Sequence, residues 1–148
     1  MRYVKCDFHG HTNYSDGHMD LESAIASAIA QGLDCIAITE HNILREEKIR
    51  SSIPVFSSFE LTLEKGHLNI HGWEGPIVIN NDAEQINELL KHYEKASFIT
   101  MNHPFFEPWH FHNQWMEIHR IDGIEVICDP TYPGSGEASR KALDFLMF

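Results

Sequence analysis

Short apolar runs with strand character alternate along this chain with segments whose apolar residues recur at helical spacing. The run at residues 35–38 (Cys-Ile-Ala-Ile) is continuously apolar, as strands of a buried parallel sheet usually are. It follows a segment, residues 21–31, that is predicted to be a helix with Asp20 as its N-cap and Gly32 at its end. This alternation predicts an α/β fold with a largely parallel sheet, either open or closed as a barrel.

The other predicted elements continue this alternation. A second helix is predicted from Asn81 or Asp82 to Lys95, and a last helix from Ser135 to the end of the chain. Residues 109–119 are ambiguous, with a helix as one interpretation. Further strands are predicted over residues 3–8, 55–59, 68–73, 77–79, 98–101 and 123–127.

The length and composition predict a single globular domain over residues 1–148. The hydrophobic fraction of 43% is enough for a core, and no apolar run approaches the roughly 18 residues that span a bilayer. The N-terminus becomes acidic at Asp7, which is too early for a secretory signal. The cysteines are odd in number and widely spaced, so they predict a reducing cytoplasm and no disulfide framework: Cys6, Cys35 and Cys128.

The charge of the chain excludes one class of partner. With 22 acidic and 11 basic residues, the formal net charge is −11, and no stripe of lysine and arginine is present that would neutralise phosphates. A nucleic acid is therefore not an expected partner. The chain also has 11 histidines. An acidic, histidine-rich composition fits either a protein that holds divalent cations or an acidic protein with many surface histidines.

The strongest local motif is a His-Gly-His sequence that ends the first predicted strand. Residues two apart in an extended chain face the same side, so His9 and His11 can present both imidazoles to one ion. Asp7 lies on the same face and is expected to orient one of these rings, and Asp16 adds a carboxylate from the following Ser-Asp-Gly turn. This combination favours a metal site more than a bare His-x-His does.

Acidic and histidine side chains also follow other predicted strands. Glu40 and His41 come directly after one, Glu60 after a second and His103 after a third. In parallel α/β folds the carboxyl ends of the strands meet where sites form, and carboxylates crowded there need cations. Imidazole and carboxylate ligands without thiolate suit Zn²⁺, Mn²⁺ or Fe²⁺. Glu60 can bridge two such ions and place a hydroxide between them for attack on an ester.

Other polar residues allow more than one interpretation. Glu125 either supports the site or contacts the substrate, or it is purely structural. His110 and His112 lie in an aromatic-rich segment, where they can line a pocket or act as ligands by their spacing. A surface or turn role is the simpler interpretation for the rest: His18, His92 and His119 as solvent-exposed side chains, and Asn13 and Asn42 as turn residues.

Together these motifs resemble those of PHP-domain proteins, the polymerase and histidinol phosphatase family. Residues 7–12 (Asp-Phe-His-Gly-His-Thr), followed by Ser-Asp-Gly at 15–17, resemble the opening motif. Residues 32–42 (Gly-Leu-Asp-Cys-Ile-Ala-Ile-Thr-Glu-His-Asn) resemble the second motif, in which an acid usually precedes His and Asn. The resemblance extends from Tyr3 to Ile127, because later positions match in order: Glu60, Gly66-His67, Asn102-His103-Pro104 and Gly123-Ile124-Glu125-Val126.

The resemblance implies a distorted (β/α)7 TIM-like barrel with two or three divalent metal ions at the carboxyl ends of its strands. His9 and His11 would hold the first ion together with Glu60, which would also bridge to the second. Asp16 and His41 would hold the third ion. This implied centre would carry the activity of a metal-dependent phosphoesterase.

For the second ion, the resemblance leaves one of the ligands open. Glu60 and His103 would hold it together with one residue of the following strand. His67 fits the family's Gly-His pattern, Asn69 stands where some members have histidine, and His71 is within reach. Roles that support the ligands or bind substrate are assigned to three acids: Asp7, Glu40 and Glu125.

The family's closing Asp-x-His motif has no match in this sequence. Asp129 and Asp144 both lack the following histidine. The predicted last helix ends in Leu-Met-Phe at 146–148 without a cap or a polar tail, and barrels of this kind usually need roughly 200 residues or more. We therefore expect residues 1–148 to be a PHP metallohydrolase domain truncated at its C-terminus, and the natural protein to continue.

The expected function is that of a metal-dependent hydrolase in the cytoplasm. The simplest form is a phosphoesterase that uses a metal-bound hydroxide at a site of two or three ions on a small phosphorylated substrate. A carbamate, ester or amide hydrolase would use the same metal site, and a non-catalytic metal-binding or accessory module would need no turnover. A membrane is not an expected partner.

Overall fold

The structure of the protein is a computed structural model, which describes residues 3–45, 49–64, 66–81, 85–106, 118, 120–127 and 133–146. In these residues six strands form one sheet whose spatial order follows the chain. The strands are β1 (Cys6–Asp7), β2 (Cys35–His41), β3 (Val55–Leu63), β4 (Gly66–His71), β5 (Phe98–Met101) and β6 (Gly123–Ile124).

The helices of the described residues are α1 (Leu21–Ala30), α2 (Ile86–His92) and α3 (Ser135–Leu146). The predicted N-cap of α1 is present, because the Asp20 carboxylate accepts a hydrogen bond from the Ser23 amide at 2.7 Å. Gly32 follows the end of α1 with a φ of 72°, a conformation that favours glycine. The α/β class is confirmed, and the sevenfold repeat of a (β/α)7 barrel stays a prediction.

Strand direction is where the sheet differs most from the prediction. β1, β2 and β3 pair in parallel, as do β5 and β6, whereas β4 pairs antiparallel with both of its neighbours. The connection between β3 and β4, residues 64–65, permits a hairpin but is too short for the crossover that joins parallel strands. The beginning of β4 therefore lies at the same edge of the sheet as the carboxyl ends of the other strands.

Several predicted elements have different bounds in the structure. β2 and β3 are longer than predicted, and β1 and β6 are shorter. Residues 77–79 form no strand, and α2 begins at Ile86 rather than at Asn81 or Asp82. The ambiguous segment 109–119 lies outside the described residues except for its residue 118. No helix in the part of the chain described is long and apolar enough to cross a membrane.

Alternation along the strands gives the sheet an apolar face that holds the core. Leu61, Leu68 and Met101 are opposite one another on this face and pack with the buried side chains of α2. A smaller core joins α1 to β2 through Ile25 and Ile38. Burying an apolar side chain of this size contributes about 1.5–3 kcal/mol, so these contacts hold the helices on the sheet.

The opposite face of the sheet carries polar side chains. Burying polar groups costs free energy unless they bind one another or a ligand, so a buried polar face is a candidate site. One row of polar side chains crosses four strands, from β2 to β5, and ends opposite Gly123 of β6: His41, Glu60, Asn69 and Thr100.

Candidate metal centre

The histidines and acids singled out in the sequence meet at one edge of the sheet. The residues that end or follow β1, β2 and β5 converge there because these strands run in the same direction. β4 runs the opposite way, so its second residue, His67, reaches the same edge. The structure brings all seven predicted metal ligands together: His9, His11, Asp16, His41, Glu60, His67 and His103.

The Glu60 carboxylate lies at the middle of this cluster. The side chain is 1% exposed, and five imidazoles come within 3.5 Å of its two oxygens. The distances range from 2.8 Å, between Glu60 Oε2 and His41 Nδ1, to 3.5 Å, between Glu60 Oε1 and His103 Nε2. Both carboxylate oxygens therefore point into a ring of histidine nitrogens.

Asp16 extends the cluster toward solvent. Its carboxylate lies 3.3 Å from His41 Nε2 and 3.7 Å from His11 Nδ1, and its side chain is 65% exposed. His41 contacts Asp16 through one ring nitrogen and Glu60 through the other. The exposed and the buried carboxylate are thus linked by one imidazole.

Three overlapping groups of side chains in this cluster fit a metal ion. In each group the ligand atoms lie within 4.8 Å of one another. The nitrogens His9 Nε2 and His11 Nε2 face each other at 3.1 Å, an arrangement that a shared proton or a cation stabilises. Nitrogen and carboxylate ligands suit Zn²⁺, Mn²⁺ or Fe²⁺. The groups are His9–His11–Glu60, His11–Asp16–His41 and His41–Glu60–His67.

The electrostatics of the cluster keep Glu60 ionised. Burial would raise the pKa of Glu60, but hydrogen bonds from the surrounding imidazoles hold it well below its usual range. Burial disfavours charge on His9 as well, yet hydrogen bonds to Glu125 and Glu60 raise the pKa of His9 to about 10. The hydrogen bond to Glu60 raises the pKa of His41, whereas burial lowers the pKa of His11. Metal ions would replace the protons that this cluster holds.

Glu125 connects two of the histidines. Its Oε1 lies 3.1 Å from His9 Nδ1, and its Oε2 accepts a hydrogen bond from the main-chain amide of His103 at 2.7 Å. His103 has a φ of 30°, which residues other than glycine rarely adopt. Glu125 therefore positions the ring of one predicted ligand and the main chain of another.

Glu40 and Asp7 contact the loop after β1 rather than the imidazoles. Glu40 is buried on the opposite side of β2 from His41, and its carboxylate accepts hydrogen bonds from the Thr12 amide at 3.3 Å and from two hydroxyls, those of Thr12 and Ser15. Asp7 Oδ1 accepts a hydrogen bond from the main-chain amide of His9 at 3.1 Å. Glu125 thus contacts the ring of His9, whereas Asp7, which was expected to orient the ring of His9 or of His11, contacts the main chain of His9.

Two residues without a predicted role also contact the cluster. Asn102 is fully buried and donates from Nδ2 to Glu60 Oε1 at 2.6 Å. Thr62 Oγ1 lies 2.6 Å from His41 Nδ1, and the Asn42 side chain holds the Thr62 main chain in place. Asn42 has a φ of 54°, in keeping with its predicted turn role. Finding Thr62 from sequence would have required the register between β2 and β3, and finding Asn102 the register of β3, β4 and β5.

The three candidate ligands in β4 lie at different positions along the strand relative to the cluster. His67 Nδ1 is 3.2 Å from Glu60 Oε1. His71 lies at the other end of the strand, where its Nδ1 is 2.8 Å from Ser58 Oγ and its ring packs against Phe8. Because β4 is antiparallel to its neighbours, its beginning rather than its end reaches the cluster. Asn69, between them, is opposite Glu60 in the pairing with β3.

The remaining histidines lie away from the cluster or outside the described residues. His18 is exposed, as predicted. His92 is half-buried, because its Nε2 is 3.0 Å from the Pro76 carbonyl oxygen and its ring packs on Trp73 and Tyr93, so its prediction as an exposed side chain is wrong. Three candidates lie outside the described residues: His110, His112 and His119.

The turn that carries Asp16 depends on Gly17. A Cβ added at Gly17 would lie 2.3 Å from the main-chain oxygen of His11. We expect Gly17→Ala to displace the turn and to lower the free energy of unfolding by about 1–3 kcal/mol, measured by urea unfolding. Gly10→Ala is the matched control, since its Cβ would make an ordinary contact at 3.6 Å with the Ala37 oxygen. Equal stability of the two variants would contradict this role.

Buried His71 makes the stability of the metal-free protein depend on pH. Burial lowers the pKa of His71 from 6.5 to about 4, so the unfolded chain binds this proton more readily than the folded one. The contribution of neutral His71 to the free energy of unfolding is therefore complete above the pKa of the unfolded chain, 6.5, and is lost as the pH falls toward 4. Between pH 7 and pH 5 the loss amounts to about 2 kcal/mol. Urea unfolding of His71→Phe should lack this component, and parallel pH profiles of both proteins would refute the expectation.

Comparisons with known proteins bear on the family and the fold. The sequence model of the PHP domain matches residues 7–127. Among solved structures, the chain is similar to a two-domain protein from Bacteroides vulgatus ATCC 8482, described as containing a predicted PHP-like metal-dependent phosphoesterase. The TM-score is 0.68 at 23% identity, and the match covers 97% of this chain and 48% of that protein. This chain thus has the same fold as about half of that protein. A comparison with curated proteins finds no match.

Proposed function

The chain belongs to the PHP domain family, and we propose that it is a metal-dependent phosphoesterase whose site is the cluster around Glu60. The observation that supports this most is the buried carboxylate of Glu60, which two of the three candidate ligand groups share. A carboxylate common to two ligand groups is what a site that holds adjacent metal ions requires.

The proposed chemistry divides between the ions and the side chains of this chain. Zn²⁺, Mn²⁺ or Fe²⁺, two or three per complete domain, would activate water and neutralise the charge of the phosphoryl oxygens. Glu60 would hold adjacent ions, one of them together with His9 and His11. His41 and Asp16, whose side chains are more exposed than Glu60, would hold a further ion.

The proposed substrate is a small phosphorylated molecule. A chain with a net charge of −11 repels phosphate esters unless cations attract them. Among the described residues, Arg45 is an arginine near the cluster; it lies 3.7 Å from Glu40 and stacks over the Tyr14 ring at 4.6 Å. Arg45 is thus engaged with the loop after β1, and the metal ions would supply attraction for the phosphate.

Metal loading and turnover test this proposal together. The purified protein would be stripped with EDTA, reloaded with Mn²⁺ or Zn²⁺, and assayed on p-nitrophenyl phosphate and p-nitrophenyl acetate, with metal content measured by mass spectrometry. We expect at least two ions per chain and metal-dependent release of nitrophenol from the phosphate ester. Preference for the acetate would indicate a carboxylic ester hydrolase. Metal binding without turnover of either ester would indicate a non-catalytic module.

A further inference from the structure

A buried carboxylate holds the loop that carries two of the predicted metal ligands. Glu40 is 0% exposed, and three donors of the loop after β1 reach its oxygens: the Thr12 amide at 3.3 Å, the Thr12 hydroxyl and the Ser15 hydroxyl. Burying a carboxylate costs free energy unless its oxygens accept hydrogen bonds, so this loop cannot leave Glu40 without leaving that group unpaired. Glu40 therefore fixes residues 12–15 to β2.

The Ser15 hydroxyl lies between two carboxylates but has one proton to donate. Its oxygen is 2.5 Å from Glu40 Oε2 and 3.5 Å from Asp16 Oδ1. A hydroxyl donates over about 2.5–3.0 Å, so the proton goes to Glu40. Asp16 Oδ1, which lies 3.7 Å from His11 Nδ1, does not take this proton and is available to a cation.

The strand that anchors the loop also supplies a ligand. Glu40 and His41 are neighbours in β2 and point to opposite sides of it. His41 belongs with His11 and Asp16 to one candidate ligand group, which we call the outer group because the Asp16 side chain is 65% exposed. Through Glu40, β2 therefore also sets the position of the loop that carries the other two ligands of this group.

Arg45 joins the same network. Its Nη1 lies 3.7 Å from Glu40 Oε1 and 3.4 Å from Thr12 Oγ1, and its guanidinium lies over the Tyr14 ring at 4.6 Å. Thr12 Oγ1 in turn accepts a hydrogen bond from the Tyr14 amide at 3.2 Å. A largely buried guanidinium thus balances the charge of Glu40 and holds the residue between Thr12 and Ser15 in the loop.

We propose that Glu40 and Ser15 are positioning residues of the metal centre. By accepting the Ser15 proton, Glu40 holds the turn at residues 12–17 where Asp16 can complete the outer group. This inference rests on the metal centre of the proposed function and does not depend on the reaction that the centre catalyses. Loosening the turn should weaken the ion of the outer group and leave the ion of the His9–His11–Glu60 group in place.

Mn²⁺ binding to a Ser15→Ala protein tests the proposal without any need for turnover. Titration followed by the EPR signal of free Mn²⁺ counts the bound ions and gives their affinities. One ion should bind about tenfold more weakly than in the wild-type protein, and the others within about twofold of it, because losing a group that orients a ligand costs about 10- to 100-fold. Ser15→Thr keeps the hydroxyl and should restore the affinity. Ser52→Ala is the matched control, since Ser52 is an exposed serine.

Amide hydrogen exchange in the metal-free protein measures the turn itself. The Gly17 amide donates to the Thr12 carbonyl oxygen at 2.9 Å and should exchange about tenfold faster in Ser15→Ala. The Asn42 amide, which donates to the Glu60 carbonyl oxygen at 2.8 Å, should keep its rate.

The outcomes separate the positioning role from the proposed reaction. An unchanged exchange rate at Gly17, unchanged affinity for every ion, or an equal loss of affinity for all ions would overturn the positioning role, even in a protein that binds its metal and is active. The expected loss of one ion in a protein that cleaves neither nitrophenyl ester would contradict the phosphoesterase alone.

Discussion

Replacing Glu60 with glutamine is expected to remove at least one metal ion and to lower kcat/KM for p-nitrophenyl phosphate by a factor of about 10³ or more. Losing a single group that stabilises transition-state charge costs about 10²–10³ in rate, and Glu60 belongs to two ligand groups at once. The glutamine amide has no negative charge, and its NH₂ group would face imidazole nitrogens where a cation has to approach. Metal content by mass spectrometry and steady-state kinetics measure both effects.

Glu88→Gln is the control for the Glu60 variant. It makes the same chemical change on α2, where the Glu88 side chain is 68% exposed. Metal content and kcat/KM should stay within about twofold of the wild-type values, because substitutions at exposed sites have small effects. Circular dichroism of the metal-free Glu60→Gln protein establishes that it is folded before its metal is counted. A folded variant with the full metal content would remove Glu60 from the centre.

The sequence allowed some elements of the fold to be predicted because their determinants are local. The Asp20 cap and the apolar spacing after it define α1, and β5 has the predicted bounds, 98–101. The direction of β4 was not predicted, because its alternation of apolar and polar residues is the same in either direction. The hairpin was not predicted either, because the predicted strands 55–59 and 68–73 leave eight residues between them, whereas in the structure the connection is residues 64–65.

The same distinction holds for the candidate site. Strand ends could be read from local pattern, so the histidines and acids that follow the predicted strands were expected to converge. His67 was predicted from the family's Gly-His pattern, with Asn69 and His71 left as alternatives. Glu40 shows what alternation adds, because neighbours in a strand face opposite sides and His41 alone can reach the cluster. Which residue of β4 lies beside Glu60, and that Asn102 contacts it, depends on strand direction and register. Neither can be obtained from one segment alone.

Glu125→Gln is expected to weaken metal binding by about 10- to 100-fold through the orientation of its two partners. A carboxylate accepts two hydrogen bonds here, whereas an amide offers one accepting oxygen and one donating NH₂ group. If the oxygen stays with the His103 amide, the NH₂ group faces His9 Nδ1 and favours the tautomer with its proton on Nε2, the nitrogen nearest Glu60. If the side-chain amide is turned the other way, its NH₂ group faces the main-chain N–H of His103. Two donors then face each other, the hydrogen bond is lost, and the strained φ of His103 (30°) can relax.

Loss of Glu125 also reduces competition from protons at His9, and the two effects oppose each other. Against the effect of burial, Glu125 and Glu60 together raise the pKa of His9 to about 10, so removing the Glu125 carboxylate lowers that pKa and assists metal binding near neutral pH. We expect the loss of orientation to dominate, because either placement of the amide displaces one ligand. Titration of the His9 ring by NMR in the metal-free variant measures the fall in pKa, and metal competition at pH 8 measures the affinity. A lowered pKa with unchanged or tighter metal binding would show that Glu125 acts on the His9 proton and does not position the ligands.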